Sequence, residues 1–381
     1  MRTFNILHIF SDEKFFDSTS LFFDSLSNVN NIYAYYLRQK DYKFKYINRV
    51  DRLLIIKNLF DYLKLLRSSH IDIIYFHSLY PVYYIYFLFI PKNKIIIWWS
   101  WGYDLYNSFS YIDPLIKLQL YKPKTSLLRE KYLNNGHSTK KLLRTLLSRI
   151  FNLIRKKIIS RVNFFTPVIE NEYFLLKSYC NFFNAKPFML KSGPGLPLDF
   201  KEQFCVKNQN ILVGNSLTWE NNLIDIYHIL QELNLDYNRK FICPISYGND
   251  YGGRDAIKRE FSKQNVLWLE GFIPKDEYFE IFNSVSHAIF GILRQQAMSN
   301  IYNCLVKGVK LYLYKDSIVY KYLISKGYIV FTIDDDLNSI SLNSVLPMKD
   351  ALHNHHLVIQ RRENIVEDTE FELSKIFDNK L

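Results

Sequence analysis

Short apolar runs rich in β-branched and aromatic residues alternate with amphipathic stretches along almost the whole chain, and this pattern constrains the fold most. Such alternation is typical of parallel sheets covered by helices, because each connection between parallel strands needs a crossover segment. The pattern runs twice, and the densest Gly and Pro cluster, Ser192–Pro197, separates the two runs. The sequence therefore predicts an α/β fold with two consecutive doubly wound domains.

The predicted strands define the expected domains. In the first half, strands are predicted near Phe4–Phe10, Ile32–Tyr36, Ile71–Phe76, Ile95–Trp99 and Val162–Pro167. In the second half, they are predicted near Ile211–Val213, Phe241–Pro244, Val266–Leu269, His287–Gly291, Lys310–Tyr314 and Ile329–Thr332. We expect an N-terminal domain over residues 1–197, a C-terminal domain over 198–350 and a helical tail over 351–381. Ligands of such sheets bind beyond the carboxyl ends of strands, so an interdomain cleft is the expected site.

The composition limits the class of protein. The 381 residues are 48% hydrophobic and 23% charged, which excludes a disordered chain. The four cysteines form no C-x-x-C pair, so neither a zinc site nor a disulfide framework is indicated. One uncharged stretch, Ile73–Ile90, has 18 residues and just reaches the length of a membrane span. Because Pro81 lies within it, a strand followed by a helix is the favoured interpretation.

Positive charge is concentrated in the first half. Residues 1–200 contain 29 Lys and Arg against 14 Asp and Glu, whereas residues 201–381 contain 20 against 23. This asymmetry indicates that the basic half meets an anionic surface. No zinc-finger spacing, RNP-like motif or helix-turn-helix signature accompanies it, so an anionic membrane is favoured over nucleic acid.

One segment combines this charge with an apolar stripe. Residues 140–161 hold eight basic and no acidic residues, and apolar residues from Leu142 to Ile154 recur at helical spacing. Such helices lie on anionic membranes, but a helix packed on the sheet with a solvated basic edge has the same pattern. The candidate membrane-binding residues are Lys140, Lys141, Arg144, Arg149, Arg155, Lys156, Lys157 and Arg161.

Two strand-to-helix turns in the second half are candidate phosphate sites. The first contains Gly214, Asn215 and Ser216, where a glycine permits close approach and polar residues precede a helix. The second contains Arg294, Gln295, Gln296 and Ser299, which place a cation before a helix N-terminus. A plain turn, or an arginine ion pair with capping glutamines, would give the same patterns.

Several short motifs, in order along the chain, resemble glycosyltransferase family 56. They are Tyr75–His77, Trp101–Tyr106, Ile211–Ser216, Pro244–Gly248, Arg294–Gln296 and Phe331–Asn338. The resemblance implies a GT-B fold, with two facing Rossmann-like domains, the acceptor on the N-terminal one and the nucleotide sugar on the C-terminal one. It also implies no required metal or cofactor, and a reference activity that moves a deoxy-amino hexose from a dTDP donor to a polyprenyl-diphosphate-linked saccharide. After Gln296 the family pattern contains glycine, whereas this chain has Ala297, which leaves the sugar open.

In a GT-B interpretation, the two turns form a clamp for the departing diphosphate. The nucleotide base would then lie near Tyr247, Gly248 and Phe272, at the ends of neighbouring strands. An ordinary core contact is an equal explanation for Phe272.

An inverting transfer also needs a group that accepts the proton of the acceptor hydroxyl. Asp104, Asp12 and His77 are candidates because each follows a predicted strand of the first half. Asp104 is the first choice, since it lies in the Trp101–Tyr106 motif. Helix capping is the alternative role for both aspartates, and a buried core contact is the alternative for His77.

The resemblance and the basic first half together imply a glycosyltransferase on the cytoplasmic face of the bacterial inner membrane, with a nucleotide sugar and a polyprenyl-diphosphate-linked saccharide as substrates. The acidic run Asp334–Asp336 and the histidines of His353–His356 are interpreted as a solvated loop and as surface, so no metal site is expected. A UDP-sugar transferase of O-antigen or capsule assembly is the second possibility. A non-catalytic basic scaffold that binds membranes or nucleic acid is the third.

Overall fold

Two parallel β-sheets organise the chain, one in each of the two units into which it divides. Unit 1 contains residues 1–117, 140–195 and 362–381, and unit 2 contains residues 118–139 and 196–361. The computed structural model describes residues 3–37, 42–106, 112–133, 141–190, 204, 209–233, 235, 239–248, 253–262, 265–271, 273–363 and 365–378. The Gly and Pro cluster of the expected domain boundary lies outside the described residues.

Unit 1 contains seven parallel strands in the order β3-β2-β1-β4-β5-β6-β7. They are β1 (Phe4–Phe10), β2 (Val29–Tyr36), β3 (Leu53–Ile56), β4 (Ile73–His77), β5 (Ile95–Trp99), β6 (Phe164–Thr166) and β7 (Lys186–Pro187). Five of these confirm the predicted strands. β3 and β7 were not predicted, and β7 has only two residues without an apolar pattern.

Unit 2 contains six parallel strands in the order β10-β9-β8-β11-β12-β13. They are β8 (Asn210–Val213), β9 (Phe241–Pro244), β10 (Val266–Leu269), β11 (Val285–Phe290), β12 (Lys310–Leu313) and β13 (Phe331–Thr332). All six confirm the predicted strands, because each is a short apolar run that ends at polar or glycine residues. The α/β class is therefore confirmed.

The helices are numbered in chain order through both units. Unit 1 contains α1 (Phe16–Asp24), α2 (Leu59–Arg67), α3 (Tyr84–Phe87), α4 (Tyr103–Tyr106), α6 (Lys141–Ile159), α7 (Asn171–Tyr179) and α15 (Ile365–Asp378). Unit 2 contains α5 (Pro123–Leu133), α8 (Leu223–Gln231), α9 (Arg254–Glu260), α10 (Lys275–Asn283), α11 (Met298–Val306), α12 (Ile318–Ser325), α13 (Ser339–Leu342) and most of α14 (Met348–Arg362).

The uncharged stretch Ile73–Ile90 forms strand β4 and then, from Pro81, a 3-10 turn that continues into α3. This confirms the strand-and-helix interpretation. Within the described part of the chain, no helix has the length and apolar character of a membrane span.

Helix α5 belongs to unit 2, although the expected boundaries assign it to the N-terminal domain. The carboxylate of Asp225 on α8 accepts hydrogen bonds from the backbone N–H groups of Lys124 (3.0 Å) and Thr125 (2.8 Å). The side chain of Asn222 accepts a further bond from the N–H of Lys122 at 2.7 Å. These acceptors satisfy amides at the start of α5 that have no partner within the helix, and so fix it to unit 2.

The two faces of the unit 1 sheet carry different helices. Tyr75 on β4 packs in a core that includes Phe16 and Phe23 of α1 and Leu373 of α15. The next residue, Phe76, faces the other side of the strand, where its ring lies 5.2 Å from that of Phe87 of α3. Helices α1 and α15 therefore cover one face, and α3 covers the other.

Strand order reverses once in each sheet, between β1 and β4 in unit 1 and between β8 and β11 in unit 2. At such a reversal the connections leave on opposite faces, and the space at the carboxyl ends of the two strands accepts ligands. The residues that follow these four strands are therefore the candidates for chemistry.

Unit 1 also contains a fully buried carboxyl group, Glu172 on α7. One of its oxygens accepts hydrogen bonds from the N–H groups of Val168 (3.0 Å) and Ile169 (3.2 Å), and the other accepts one from the Tyr106 hydroxyl at 2.9 Å. Burial is the largest influence and raises the pKa of Glu172 from 4.5 to about 7, although the hydrogen bonds lower it.

We predict that Glu172 makes the fold less stable as pH rises from 4.5 to about 7, because only the folded chain holds the proton in that range. The effect should approach roughly 3 kcal/mol. Glu172→Gln keeps the acceptor oxygen and gives Tyr106 a donor, so it should flatten this dependence. Thermal melts of both proteins between about pH 5 and about pH 8 test this, and parallel curves would contradict it.

Candidate active site

The turn after β8 is held in one conformation by close packing. Gly214 has φ +68°, and a Cβ atom at this position would lie 2.8 Å from the side chain of Leu223. Asn215 and Ser216 follow, and both are buried. Glycine is therefore required where the sequence predicts close approach, and the two polar side chains lie at the strand-order reversal.

Gln296 joins the turns that follow β8 and β11. Its Nε2 lies 3.1 Å from Asn215 Oδ1, 3.3 Å from Ser216 Oγ and 3.1 Å from Thr218 Oγ1. One amide nitrogen thus lies within hydrogen-bond distance of three oxygen atoms in the turn after β8. The structure brings together residues that the sequence places about 80 positions apart.

The turn after β9 packs on the same site. Asn215 Nδ2 donates to the Tyr247 hydroxyl at 2.8 Å, and the N–H of Leu217 donates to the Tyr247 carbonyl at 2.9 Å. Gly248 has φ +107°, and a Cβ there would lie 3.0 Å from the backbone nitrogen of Thr218. Tyr247 and Gly248 therefore adjoin the two turns. Phe272, the third residue of the expected base pocket, lies outside the described residues.

Arg294 lies at the carboxyl end of β11, where it is 7% exposed and donates to the Gln295 carbonyl at 2.8 Å. Ala297 then adopts φ +61°, and α11 begins at Met298 with Ser299 in its first turn. Glycine adopts the left-handed backbone of Ala297 more readily than alanine does. Arg294 lies four residues before this nine-residue helix, and a cation close in sequence to a helix N-terminus favours a diphosphate.

Two carboxamide oxygens complete this site. Gln295 Oε1 and Gln296 Oε1 are buried, and neither accepts a hydrogen bond from the described residues. Buried acceptors without a partner are costly, so a ligand that donates hydrogen bonds would satisfy them. Hydroxyl groups of a sugar or the N–H of a base have this property.

Sequence reasoning missed the residues that support the turn after β8. Asn221 donates to Ser216 and accepts from the N–H of Asn215, while Asn222 donates to the carbonyls of Leu120 and Gly291. Asn222 has φ +50°, a conformation that asparagine tolerates better than most residues. The adjacent pair of asparagines before a helix was the available signal.

Sequence reasoning also missed Glu220. It is 8% exposed, and its carboxylate lies 3.4 Å from the hydroxyl of Tyr121. Burial and then the Glu220 charge raise the pKa of Tyr121 to about 12, whereas Arg129 and Arg294 lower it. A buried carboxylate and the Arg294 guanidinium therefore act on one tyrosine in unit 2.

Asp104 is buried, and both of its oxygens are occupied. Oδ2 accepts from the N–H of Leu79 (3.0 Å) and from Trp98 Nε1 (2.7 Å), and Oδ1 accepts from the N–H of Trp101 (2.9 Å). Burial is the largest influence on the pKa of Asp104 and raises it. This geometry favours a structural role, in which Asp104 fixes the chain after β4 and β5.

His77 is 1% exposed and lies inside the sheet core, where its Nε2 is 2.9 Å from Nδ1 of His8 and its ring stacks on Phe10. Burial, and then the proximity of His8, lower the pKa of His77 well below 6.5. The geometry favours a neutral core histidine.

Asp12 is the partly exposed member of the three, in the turn after β1. Its Oδ1 accepts from the N–H of Lys14 at 3.0 Å. The preceding Ser11 lies 2.5 Å from the hydroxyl of Ser78 and 3.0 Å from that of Tyr103, so hydroxyl groups from the ends of β1, β4 and β5 meet beside Asp12. Ser78 has φ +80°, an unusual conformation for serine.

The basic helix α6 divides its cations between solvent and protein. Arg149, Lys156 and Lys157 are exposed, whereas Arg155 is buried and Arg161, just after the helix, donates to the carbonyls of Phe87 and Ile90. The burial of Arg155 and the two hydrogen bonds of Arg161 indicate that these two cations serve packing within unit 1. Lys140 and the side chains of Lys141 and Arg144 lie outside what the structure describes.

The run Asp334–Asp336 forms a closed turn. Asp334 accepts from the N–H of Lys315, Asp335 pairs with the Lys315 ammonium, and Asp336 accepts from Thr332. Among the described residues, no group of three His, Cys, Asp or Glu side chains is arranged to hold a metal ion.

No family model matches the chain, and a search of curated proteins returns no match. Solved structures do match over the full length. A glycosyltransferase from Rickettsia africae covers 100% of this chain and 99% of its own, with 11% identity and a TM-score of 0.59. Anabaena HepE in complex with UDP and glucose covers 99% and 100%, with 10% identity and a TM-score of 0.59. Sucrose-phosphate synthase from Thermosynechococcus elongatus covers 99% and 98%, with 8% identity and a TM-score of 0.58.

This chain has the GT-B fold. The fold expected from the family 56 resemblance is thereby confirmed, while the low identities give no support to that family in particular.

We predict that Gln296→Glu will separate the turns that follow β8 and β11. A carboxylate oxygen would replace the Nε2 donor and face the oxygens of Asn215, Ser216 and Thr218. The free energy of unfolding should fall by about 1–3 kcal/mol, and stabilisation by nucleotides should be lost. Gln360→Glu, the same change at an exposed residue of α14, is the control. Denaturant unfolding with and without nucleotide measures both effects. An unchanged Gln296→Glu protein would show that this junction does not organise the site.

Proposed function

We propose that the chain is a glycosyltransferase whose unit 2 binds a nucleotide-sugar donor and whose unit 1 binds the acceptor. The observation that carries this proposal is the Gln296 carboxamide, which joins the turns after β8 and β11 beside Arg294. A guanidinium, helix amides and buried acceptor oxygens at one junction suit a sugar linked to a nucleoside diphosphate. The GT-B fold supports the same assignment.

In the proposed reaction, Arg294 and the N-terminus of α11 stabilise the negative charge of the departing diphosphate. Asp12 accepts the proton of the acceptor hydroxyl. The oxygen of that hydroxyl attacks the anomeric carbon in an inverting transfer, and the nucleoside diphosphate leaves. We choose Asp12 over Asp104 because its carboxylate is partly exposed at the strand-order reversal of unit 1, whereas that of Asp104 is enclosed by three donors.

The donor in this proposal is a dTDP-linked deoxy-amino hexose, and the acceptor is a polyprenyl-diphosphate-linked saccharide of bacterial surface polysaccharide synthesis. The ordered motifs that resemble family 56 support this choice, as do the exposed cations of α6. The enzyme would act as a peripheral protein on the cytoplasmic face of the inner membrane. A UDP-sugar donor is the second candidate, favoured by the UDP and glucose in the HepE complex.

A panel of dTDP and UDP sugars, each with a lipid-linked acceptor, tests the proposal. Transfer should occur with one donor class, and its nucleotide at 100-fold excess over the dissociation constant should stabilise the protein by about 2.7 kcal/mol. Neither transfer nor stabilisation with any nucleotide would refute the proposal and favour the non-catalytic scaffold.

We predict that Arg294→Ala weakens the binding of nucleoside diphosphates by about 10-fold to 150-fold, because it removes a charge-assisted contact of about 1.5–3 kcal/mol. Arg294→Lys should restore only part of the affinity, since the planar fork is lost. Calorimetric titration with the nucleotide measures this. Full affinity in the folded alanine variant would place the diphosphate elsewhere.

We predict that Asp12→Asn lowers turnover by about 10²-fold to 10⁴-fold with donor affinity unchanged, because the variant keeps the shape but not the basicity. Asp104→Asn is the contrasting variant, and it should lower the melting temperature while the folded fraction keeps near-normal turnover. Single-turnover rates and thermal melts distinguish the two. The opposite pattern would return the role of base to Asp104.

A further inference from the structure

Helices α2, α3 and α6 form one layer on unit 1. The ring of Tyr62 on α2 lies 5.0 Å from that of Tyr86 on α3. Directly after α6, Arg161 donates to the carbonyls of Phe87 (3.3 Å) and Ile90 (2.8 Å). The layer covers the sheet face opposite to α1 and α15, because α3 packs on Phe76.

Large apolar side chains of this layer are exposed to solvent. Phe60 on α2 is 83% exposed, Phe89 after α3 is 50% exposed, and Leu153 on α6 is 68% exposed. Ile150, one turn before Leu153, is 46% exposed. All three parts of the layer therefore present apolar groups that the fold of unit 1 does not bury.

Exposed cations occur in the same helices and turns as these apolar groups. Among the described side chains, they are Lys57, Lys64, Arg67, Lys92, Arg149, Lys156 and Lys157. On α6, Arg149, Leu153 and Lys156 follow one another at helical spacing and so share one side. The surface thus combines apolar anchors with positive charge across three helices.

The two faces of unit 1 have opposite charge. Among the described side chains that are not buried, α2, α3 and α6 carry five basic residues and one acidic residue, whereas α1 and α15 carry one basic and six acidic residues. The net positive charge of the whole chain does not explain why one face of unit 1 is basic and the other is acidic. An anionic surface would therefore attract one face of unit 1 and repel the other.

We infer that unit 1 docks on an anionic phospholipid bilayer through the α2–α3–α6 layer, with Phe60 and Phe89 inserted at the headgroup level. Amphipathic surfaces with lysine and arginine around aromatic and aliphatic residues bind bilayers in this way. Nucleic acid would match the cations but not the exposed Phe60 and Leu153. This docking deepens the peripheral membrane attachment of the proposed function, on which it rests, but its test needs no sugar or nucleotide.

Sedimentation of the full chain with vesicles tests the inference. We expect binding to vesicles of phosphatidylglycerol and phosphatidylcholine, little binding to phosphatidylcholine alone, and weakening by salt. Lys156→Gln with Lys157→Gln should weaken binding about 25-fold, from about fivefold for each cation. Phe60→Ser with Phe89→Ser should weaken it about 10-fold or more.

Phe371→Ser is the matched control, because Phe371 on α15 is 61% exposed but lies on the acidic face. It should leave vesicle binding unchanged, and thermal melts should show that every variant is folded. Equal loss from Phe371→Ser, equal binding to neutral vesicles, or tighter binding to duplex DNA than to anionic vesicles would overturn the inference. Sugar transfer to a water-soluble acceptor is assayed separately. A protein that transfers sugar but does not bind anionic vesicles would overturn the docking inference and leave the proposed activity intact.

Discussion

The reversal of strand order in each parallel sheet is the constraint on which the rest of the structure depends. In unit 2 the chain leaves β8 and β11 in opposite directions, so two turns with no sequence relation end side by side. Their backbone polar groups are not used by the sheet and need other partners. The amide of Asn221 provides them for the N–H of Asn215 and the carbonyl of Ser216, and the amides of Asn221 and Gln296 both bind the Ser216 hydroxyl. A ligand site at this place is thus a consequence of topology, refined by a few carboxamides.

Carboxamides suit this task because each one both donates and accepts without carrying charge. Asn222 shows the advantage, since its nitrogen donates to the Gly291 carbonyl at 2.6 Å while its oxygen accepts from Lys122. An aspartate could not donate, and it would bring a buried charge to a site proposed to hold a diphosphate. Because uncharged carboxamides hold the turns, they add no negative charge that would oppose the positive charge of Arg294 in the turn after β11. Gly291 lets the two turns approach closely, because a Cβ atom at this position would collide with the Asn221 carbonyl oxygen.

The sequence predicted eleven of the strands because buried parallel strands are apolar runs that local pattern alone reveals. The GT-B interpretation also assigned Asn215 and Gln296 to the diphosphate clamp and Tyr247 to the base pocket. It could not predict that α5 joins unit 2, because the decisive acceptor, Asp225, lies about 100 residues away. The supporting role of Asn221 was equally hidden, because its partners are defined by tertiary contacts and not by spacing.

The contrast between Asp12 and Asp104 shows why residue type and strand position do not settle a chemical role. Both carboxylates follow strands of the same sheet, but Trp98 Nε1 and two backbone amides occupy the oxygens of Asp104. Asp104 can take a proton only at the expense of these three hydrogen bonds, although its burial favours the neutral acid and raises its pKa. Asp12 has a shorter set of local contacts and access to solvent. Accessibility, which only the fold determines, is therefore the property that separates a group able to react from one that holds the chain in place.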